Sequence, residues 1–354
     1  MQIADIITRL HAAGAKPAQV QRLLRQWTQA LAAPGGPSAP EHSLSKPLRA
    51  LWDELLPELQ GLMHLRSQHP ADDGAVRLLL GLNDGQTAEA VLLPKGGLCV
   101  STQVGCAVGC VFCMTGRDGL IRQIGSAEIV AQVALARTLR PVRRVVFMGM
   151  GEPAHNLDAV LEAIDLLGTA GGIGHKNLVF STVGDPRVFE RLPLAAVKPA
   201  LALSLHTTKP ALRAELLPRA PRLSPDALVE MGETYARATG YPIQYQWTLM
   251  AGVNDGEDEV QGIVRLLRGK VAMMNLIPYN RVDDLPWQRP SADRARAMCE
   301  ALNALGILTR LRQSAGQDVE GGCGQLRARE AKGANRPVRM PVSRNPITPR
   351  TEPP

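Results

Sequence analysis

Apolar residues in this chain recur at two periods, and the change from one to the other divides it. Near the start, Ile3, Ile6, Ile7 and Leu10 share one face of a helix. Val20, Leu23, Leu24 and Trp27 do the same after a turn at Gly14 and an early helical proline at Pro17. A third helix is expected over 48–59, beyond a linker-like Pro34-Gly-Gly-Pro-Ser-Ala-Pro40. Residues 1–65 read as helical, and 1–70 as a small helical N-terminal domain. Two apolar runs, 76–82 and 88–93, then flank Asn83-Asp84-Gly85, a strong hairpin turn signal. From there helices are expected at 127–137, 157–167, 225–238, 257–267 and 292–305. Strands are expected at 144–148, 178–181, 200–205, 243–250 and 272–277. The run Ala200-Leu-Ala-Leu-Ser-Leu205 suits a strand covered on both faces. Repeated strand–helix units imply an α/β chain with a parallel barrel or partial barrel, its site at the C-terminal ends of the strands.

Composition adjusts this picture in three ways. At 354 residues the chain suits one large domain plus an appendage. Aromatic residues make up only 3%, which argues against base-stacking platforms as the main binding device. Lys and Arg outnumber Asp and Glu by 40 to 33, a net +7 that favours an anionic partner such as nucleic acid. A basic enzyme without a polyanion is the alternative. Lys16, Arg22 and Arg25 would let the first helices grip a phosphate backbone, or they lie on an ordinary solvated pair. The segment 327–354 is basic and proline-dotted, and reads either as an arm settling on RNA phosphates or as a solvated tail.

Four of the six cysteines crowd into residues 99–113, which is no disulfide framework and calls for a reducing compartment. The N-terminus lacks the features of a signal peptide, and no apolar run approaches the ~20 residues of a membrane span. A cytoplasmic protein without a membrane partner is expected.

The run Cys106-Ala-Val-Gly-Cys110-Val-Phe-Cys113 puts three thiols within eight residues. A [4Fe–4S] cluster wants four ligands, so three cysteines leave one iron open to a small molecule. A closed zinc site would want a fourth Cys or His nearby, and the next candidates are distant: His155, Cys299 and Cys323. Downstream, Met148-Gly-Met-Gly-Glu-Pro153 follows an expected strand, with Gly149 and Gly151 permitting close backbone approach to a ligand and Glu152 offering a carboxylate to an ammonium group. Ser181, Ser204-Leu205-His206 and Asn280 each close an expected strand, where polar residues point into a barrel mouth or act as caps and core polar groups. Cys323, in Gly321-Gly-Cys-Gly-Gln325, is expected on a flexible segment that swings its thiol into that mouth. Cys99 stands seven residues before Cys106, and Cys99 and Cys323 could form a transient disulfide. Cys299 reads as a small core residue.

The C-x3-C-x2-C spacing is the signature of radical S-adenosylmethionine (SAM) enzymes. Together with Cys99-Val-Ser-Thr-Gln-Val-Gly-Cys106, the Gly-Met-Gly-Glu-Pro153 loop, Ser204-Leu-His206, Asn275-Leu-Ile-Pro-Tyr-Asn280 and Cys323-Gly-Gln-Leu326, it resembles the RlmN/Cfr family of radical-SAM RNA (adenine) methyltransferases. The resemblance implies a partial (β/α)6 barrel over 75–326, one [4Fe–4S] cluster on Cys106, Cys110 and Cys113, and SAM held by Gly151, Glu152, Ser181, Ser204, Leu205, His206 and Asn280. It also implies that Cys323 takes a methyl group from one SAM. A 5′-deoxyadenosyl radical from a second SAM then abstracts hydrogen from that methyl, and the carbon radical adds to an adenine ring carbon, carbon 2 ahead of carbon 8. Glu89 matches the proton acceptor, although by itself it reads as an exposed strand carboxylate. Cys99 would attack Cys323 to release the product. The implied partners are rRNA and/or tRNA and an electron donor such as flavodoxin, with the protein a monomer. The segments 112–117 and 316–320 depart from the family pattern, and 281–288 is short. Two other readings compete. A radical-SAM activase or mutase would not need Cys99 and Cys323, and an RNA-binding protein with a structural metal would carry no labile sulfide.

Overall fold

The computed structural model describes residues 1–31, 44–282 and 285–328; the linker-like 34–40 and the tail beyond 328 lie outside the described residues. Helices α1 (Ile3–Ala12), α2 (Pro17–Thr28) and α3 (Lys46–Gly61) form where apolar spacing places them. Their buried faces, Ile6 and Leu10, Leu23 and Trp27, Trp52 and Leu55, join the same core as the barrel helices. Hydrogen bonds reinforce the join: Ile3 N donates to Ser126 Oγ at 2.8 Å and Arg137 Nη1 to Thr28 O at 2.7 Å.

The helical reading of 1–65 needs one correction. α3 ends at Gly61 and β1 (Met63–Pro70) follows, pairing antiparallel with β2 (Val76–Leu82). Its burial alternates along Met-His-Leu-Arg-Ser-Gln-His-Pro, as a strand covered on one face requires. β2 and β3 (Thr87–Leu93) form the expected hairpin, with Gly85 at φ +85° in its turn.

Next come β4 (Gly97–Cys99), the hairpin of β5 (Gln103–Gly105) and β6 (Leu120–Gln123), α4 (Ser126–Leu139), β7 (Arg144–Phe147) and α5 (Leu157–Gly168). The series continues with β8 (Leu178–Thr182), α6 (Pro186–Arg191), β9 (Ala200–Ser204), α7 (Pro210–Leu216) and α8 (Pro225–Thr239). It ends with β10 (Ile243–Leu249), α9 (Glu257–Leu267), β11 (Ala272–Pro278), α10 (Ala292–Ala304) and β12 (Thr309–Leu311). One ten-stranded sheet runs β1-β2-β3-β4-β7-β8-β9-β10-β11-β12, antiparallel up to β4 and parallel from β4 onward. It is a partial barrel with two open edges. Besides β1, the elements absent from the sequence reading (β4, β5, β6, α6, α7, β12) have seven residues or fewer, too short for a period to show.

Alternation inside the strands hollows the barrel. In β9, Leu201 and Leu203 face the helices and join the main core, while Ala200 and Ala202 face inward beside Val146 and Val179. Large side chains outside and small ones inside leave room at the strand ends.

Candidate active site

A cavity opens at the C-terminal ends of the parallel strands, walled by the loop between β5 and β6 and by the ends of β7 to β11. Cys106, Cys110, Cys113, Gly151, Glu152, Ser181, Ser204, His206 and Cys323 all line it. Leu205 does not: its side chain is wholly buried in the main core. Asn280 stands behind the wall and holds the Cys323 loop instead, while Cys99 and Glu89 also lie outside the lining. Sequence reasoning missed Gln246 and Thr248, which line the cavity too. Their signal is period two: polar positions on either side of Trp247 in an apolar strand.

The cysteine loop is fixed from several sides. Cys106 N donates to Gly119 O at 2.9 Å, Val111 N to Leu216 O at 3.1 Å, and Trp287 Nε1 to Val111 O at 3.1 Å. Gly109 sits at φ +66°, and a Cβ on Gly116 would come within 2.8 Å of its Cα, so the loop needs glycine at both. Val108, Phe112, Met114, Leu216, Leu217 and Met250 make its surroundings apolar.

Burial pushes the Cys106 thiol up to about 12, and raises Cys110 and Cys113 as well, with Cys113 and Cys106 adding to the effect at Cys110. Against this, backbone N–H groups of Val108 and Gly109 favour the Cys106 thiolate, and those of Thr115 and Gly116 favour Cys113. Three crowded thiols with N–H groups aimed at their sulfurs suit a positively charged metal core, which deprotonates its ligands outright. Among the described residues no three His, Cys, Asp or Glu side chains converge as around a single metal ion. Three thiols on one short loop fit a four-iron cluster that keeps one iron open.

The glycines of the Met148–Pro153 loop answer to the protein first. A Cβ on Gly149 would lie 2.7 Å from both Ser101 Oγ and Val100 O, and one on Gly151, at φ +102°, 2.6 Å from Gln103 Cβ. The close approach is to the segment after β4, with the loop's other side turned to the cavity. Glu152 is buried; its oxygens accept from Ala154 N at 3.1 Å and Val183 N at 3.0 Å, and burial pushes its carboxyl up to about 7. An ammonium group brought beside it would draw it into the ionised form.

His206 has φ +62°, a left-handed conformation that a residue with a Cβ seldom adopts. Asn254, buried and missed in the sequence, holds it there by donating from Nδ2 to His206 O at 2.6 Å. Thr248 N donates to His206 Nδ1 at 2.9 Å, and the ring meets Phe112 edge-on at 4.9 Å. Burial, helped by Arg213, pushes the imidazole down to about 3. The ring is therefore neutral, and with Nδ1 accepting, Nε2 carries the proton as a donor.

The Cys323 loop is tied to the cysteine loop. Met114 N donates to Gly324 O at 2.8 Å and Thr115 Oγ1 to Leu326 O at 2.7 Å. Asn280 Nδ2 donates to Cys323 O at 2.9 Å and to Ser314 Oγ at 2.8 Å. A Cβ on Gly322 would strike Gln325 Oε1 at 2.7 Å, and Gly324 takes φ +84°. The flanking glycines make a tight, anchored turn, where the sequence reading expected a swinging arm. Cys323 is an exposed residue at the mouth; the protein around its thiol, and Cys113, push it up while Ser314 and Arg312 pull the other way. Cys99, at the end of β4, has its thiol raised by burial first and then by Cys323.

Glu89 is not an exposed strand carboxylate. It is 1% exposed on β3, ion-paired with Arg77, and its Oε2 accepts from Arg327 N at 2.8 Å and Ala328 N at 3.0 Å. The chain just past Cys323 thus folds back onto it.

Residues 100–267 match the model of the radical SAM superfamily. A relative from Leptothrix cholodnii, named "Probable RNA methyltransferase", is 68% identical over 98% of this chain and 100% of its own length. Another of that name from Azoarcus is 65% identical over 100% of this chain and 99% of its own. Among solved structures, a radical SAM methyltransferase from Sphaerobacter thermophilus superposes with a TM-score of 0.81 at 34% identity, covering 93% of this chain and 98% of that one. With its cysteine loop inside the matched segment, this chain belongs to the radical SAM superfamily, in the family formed by these relatives.

Proposed function

We propose that this protein methylates a ring carbon of adenosine in rRNA or tRNA, carbon 2 ahead of carbon 8, with Cys323 carrying the methyl group as S-methylcysteine. The relatives' names supply RNA methylation, and the resemblance to the RlmN/Cfr family supplies the carbon. One observation carries the reading: the bonds from Met114 and Thr115 to Gly324 and Leu326, which hold an exposed thiol against the cysteine loop and its three thiols. A structural zinc site would take such a fourth thiol as a ligand, and zinc without labile sulfide would mark that alternative.

In this reading Cys106, Cys110 and Cys113 hold a [4Fe–4S] cluster, and Glu152, His206, Ser181, Ser204 and the Gly151 backbone hold SAM. When bound, these groups supply the methyl donor and the one-electron chemistry that removes a hydrogen atom. Cys323 gives up its thiol proton and takes the methyl carbon by displacement. Its place at the mouth lets the sulfur face the cavity on one side and an incoming base on the other. After the carbon adds to adenine, the adduct would lose one electron to the bound cluster and a ring proton to Glu89; the Cys99 thiolate then attacks the Cys323 sulfur, the methylene carbon leaves and takes up a proton, and a Cys99–Cys323 disulfide and the methylated base remain. Since both Glu89 oxygens are occupied, the Arg327–Ala328 segment must lift before the base can act.

RNA contact is supported by the exposed Lys16, Arg22 and Arg25 on α2. No described helix is long and apolar enough to cross a membrane. The protein would work in the cytoplasm as a monomer, reduced by a donor such as flavodoxin. Mass spectrometry of nucleosides from the rRNA and tRNA of a strain lacking this chain tests the assignment. One methyladenosine should vanish and return on complementation; unchanged RNA methylation at every position would overturn it.

A further inference from the structure

Arg213, on α7, is 3% exposed. Its Nη2 donates to Val183 O at 2.6 Å and to Ser204 O at 3.2 Å, carbonyls at the ends of β8 and β9. Its Nε is buried without a hydrogen-bond partner. The other arginine buried as deeply, Arg77 at 4%, is ion-paired with Glu89. Among the described residues no carboxylate is ion-paired with Arg213, and Cys110 is the group that favours its charge. His206 beside it is neutral.

A buried cation without a counterion is costly, and a fold that keeps one has an anion to set against it. Val183, Ser204 and Cys110 all line the cavity, so that anion belongs at its cysteine-loop end. Two anions could stand there, a cluster with its three thiolates or the carboxylate of SAM; α7, which carries Arg213, is bonded to the cysteine loop through Val111 N and Leu216 O at 3.1 Å, and this favours the first.

We infer that Arg213 is the countercharge for the negatively charged iron–sulfur cluster, a positioning residue that eases its reduction. The inference rests on the cluster assigned under the proposed function. A fixed positive charge stabilises the reduced cluster, which carries one more negative charge, over the oxidised one.

The test is redox titration of the anaerobically reconstituted protein without SAM, after iron and sulfide analysis. Arg213→Gln, which keeps a donor for Val183 O, should lower the reduced-to-oxidised ratio at a fixed potential about ten-fold, ~59 mV for one electron. The difference should survive high salt, because the charge is buried. Should that variant fail to hold its cluster, Arg213→Lys reads the same charge. A buried lysine loses its proton readily, so its potential should fall more steeply with rising pH than that of the unaltered protein. A pH slope equal to that of the unaltered protein would then refute the inference. So would an Arg213→Gln potential that does not move, including the case where only SAM affinity drops, which would hand the charge to the SAM carboxylate. An unaltered protein that binds no four-iron cluster would overturn both this inference and the proposed function.

Discussion

A Cys99→Ala enzyme should accumulate a covalent protein–RNA adduct, joined through a methylene bridge at Cys323. Cys99 packs among small apolar side chains near Val146 and Val179 and lies outside the cavity lining, so alanine fits there and the cluster and SAM sites stay intact. Methyl transfer to Cys323 and addition to adenine would proceed, but no thiol would remain to free the adduct. A denaturing gel with labelled RNA should show a shifted band at close to one per active chain. Nuclease digestion and mass spectrometry should then place the nucleotide on Cys323. Normal turnover without a crosslink would remove the disulfide-release step. The companion variant at Glu89 must be chosen with its surroundings in view. Glu89→Ala would remove the carboxylate that faces the buried Arg77, at a cost of about 3–5 kcal/mol. Glu89→Gln keeps a hydrogen-bond acceptor for Arg77, and should slow adduct breakdown by ~10²–10⁴-fold, the usual contribution of a positioned base.

Replacing any one of Cys106, Cys110 or Cys113 with alanine should take SAM cleavage to background. All three thiols line the cavity, and the apolar cluster around them offers no substitute ligand. The unaltered protein should bind about four irons and four sulfides after anaerobic reconstitution. The variants should lose that stoichiometry while Cys323 stays anchored through Asn280 and Met114. SAM cleavage retained in all three variants would mean that the cluster has other ligands.

What the sequence made legible is what lies close together along the chain. The cysteine triplet, the Gly-Met-Gly-Glu152 turn and the polar residues closing strands each carry their chemistry within a few positions, and all but Leu205 and Asn280 meet in one cavity. The strand–helix alternation showed because its helices span three turns or more. β1 was hidden because most of its eight residues are polar and only one face is covered. Contacts across long separations were hidden as well: Asn254 on His206, Arg213 on Val183, and Arg327 on Glu89, 238 positions apart. The glycines were visible, but not what they approach. Gly149, Gly151 and Gly322 each press on neighbouring protein, so the same residues that suggested a ligand contact or a hinge turn out to fix the walls around the thiols.

The central claim is that Cys323 carries the methyl group. Mass spectrometry of the protein as isolated from cells tests it most directly, because the first transfer needs only a nucleophile and SAM. The peptide containing Gly321-Gly-Cys323-Gly-Gln325 should bear one added methyl, located on the cysteine by fragmentation. A methyl group found on Cys99 and never on Cys323 would contradict the account.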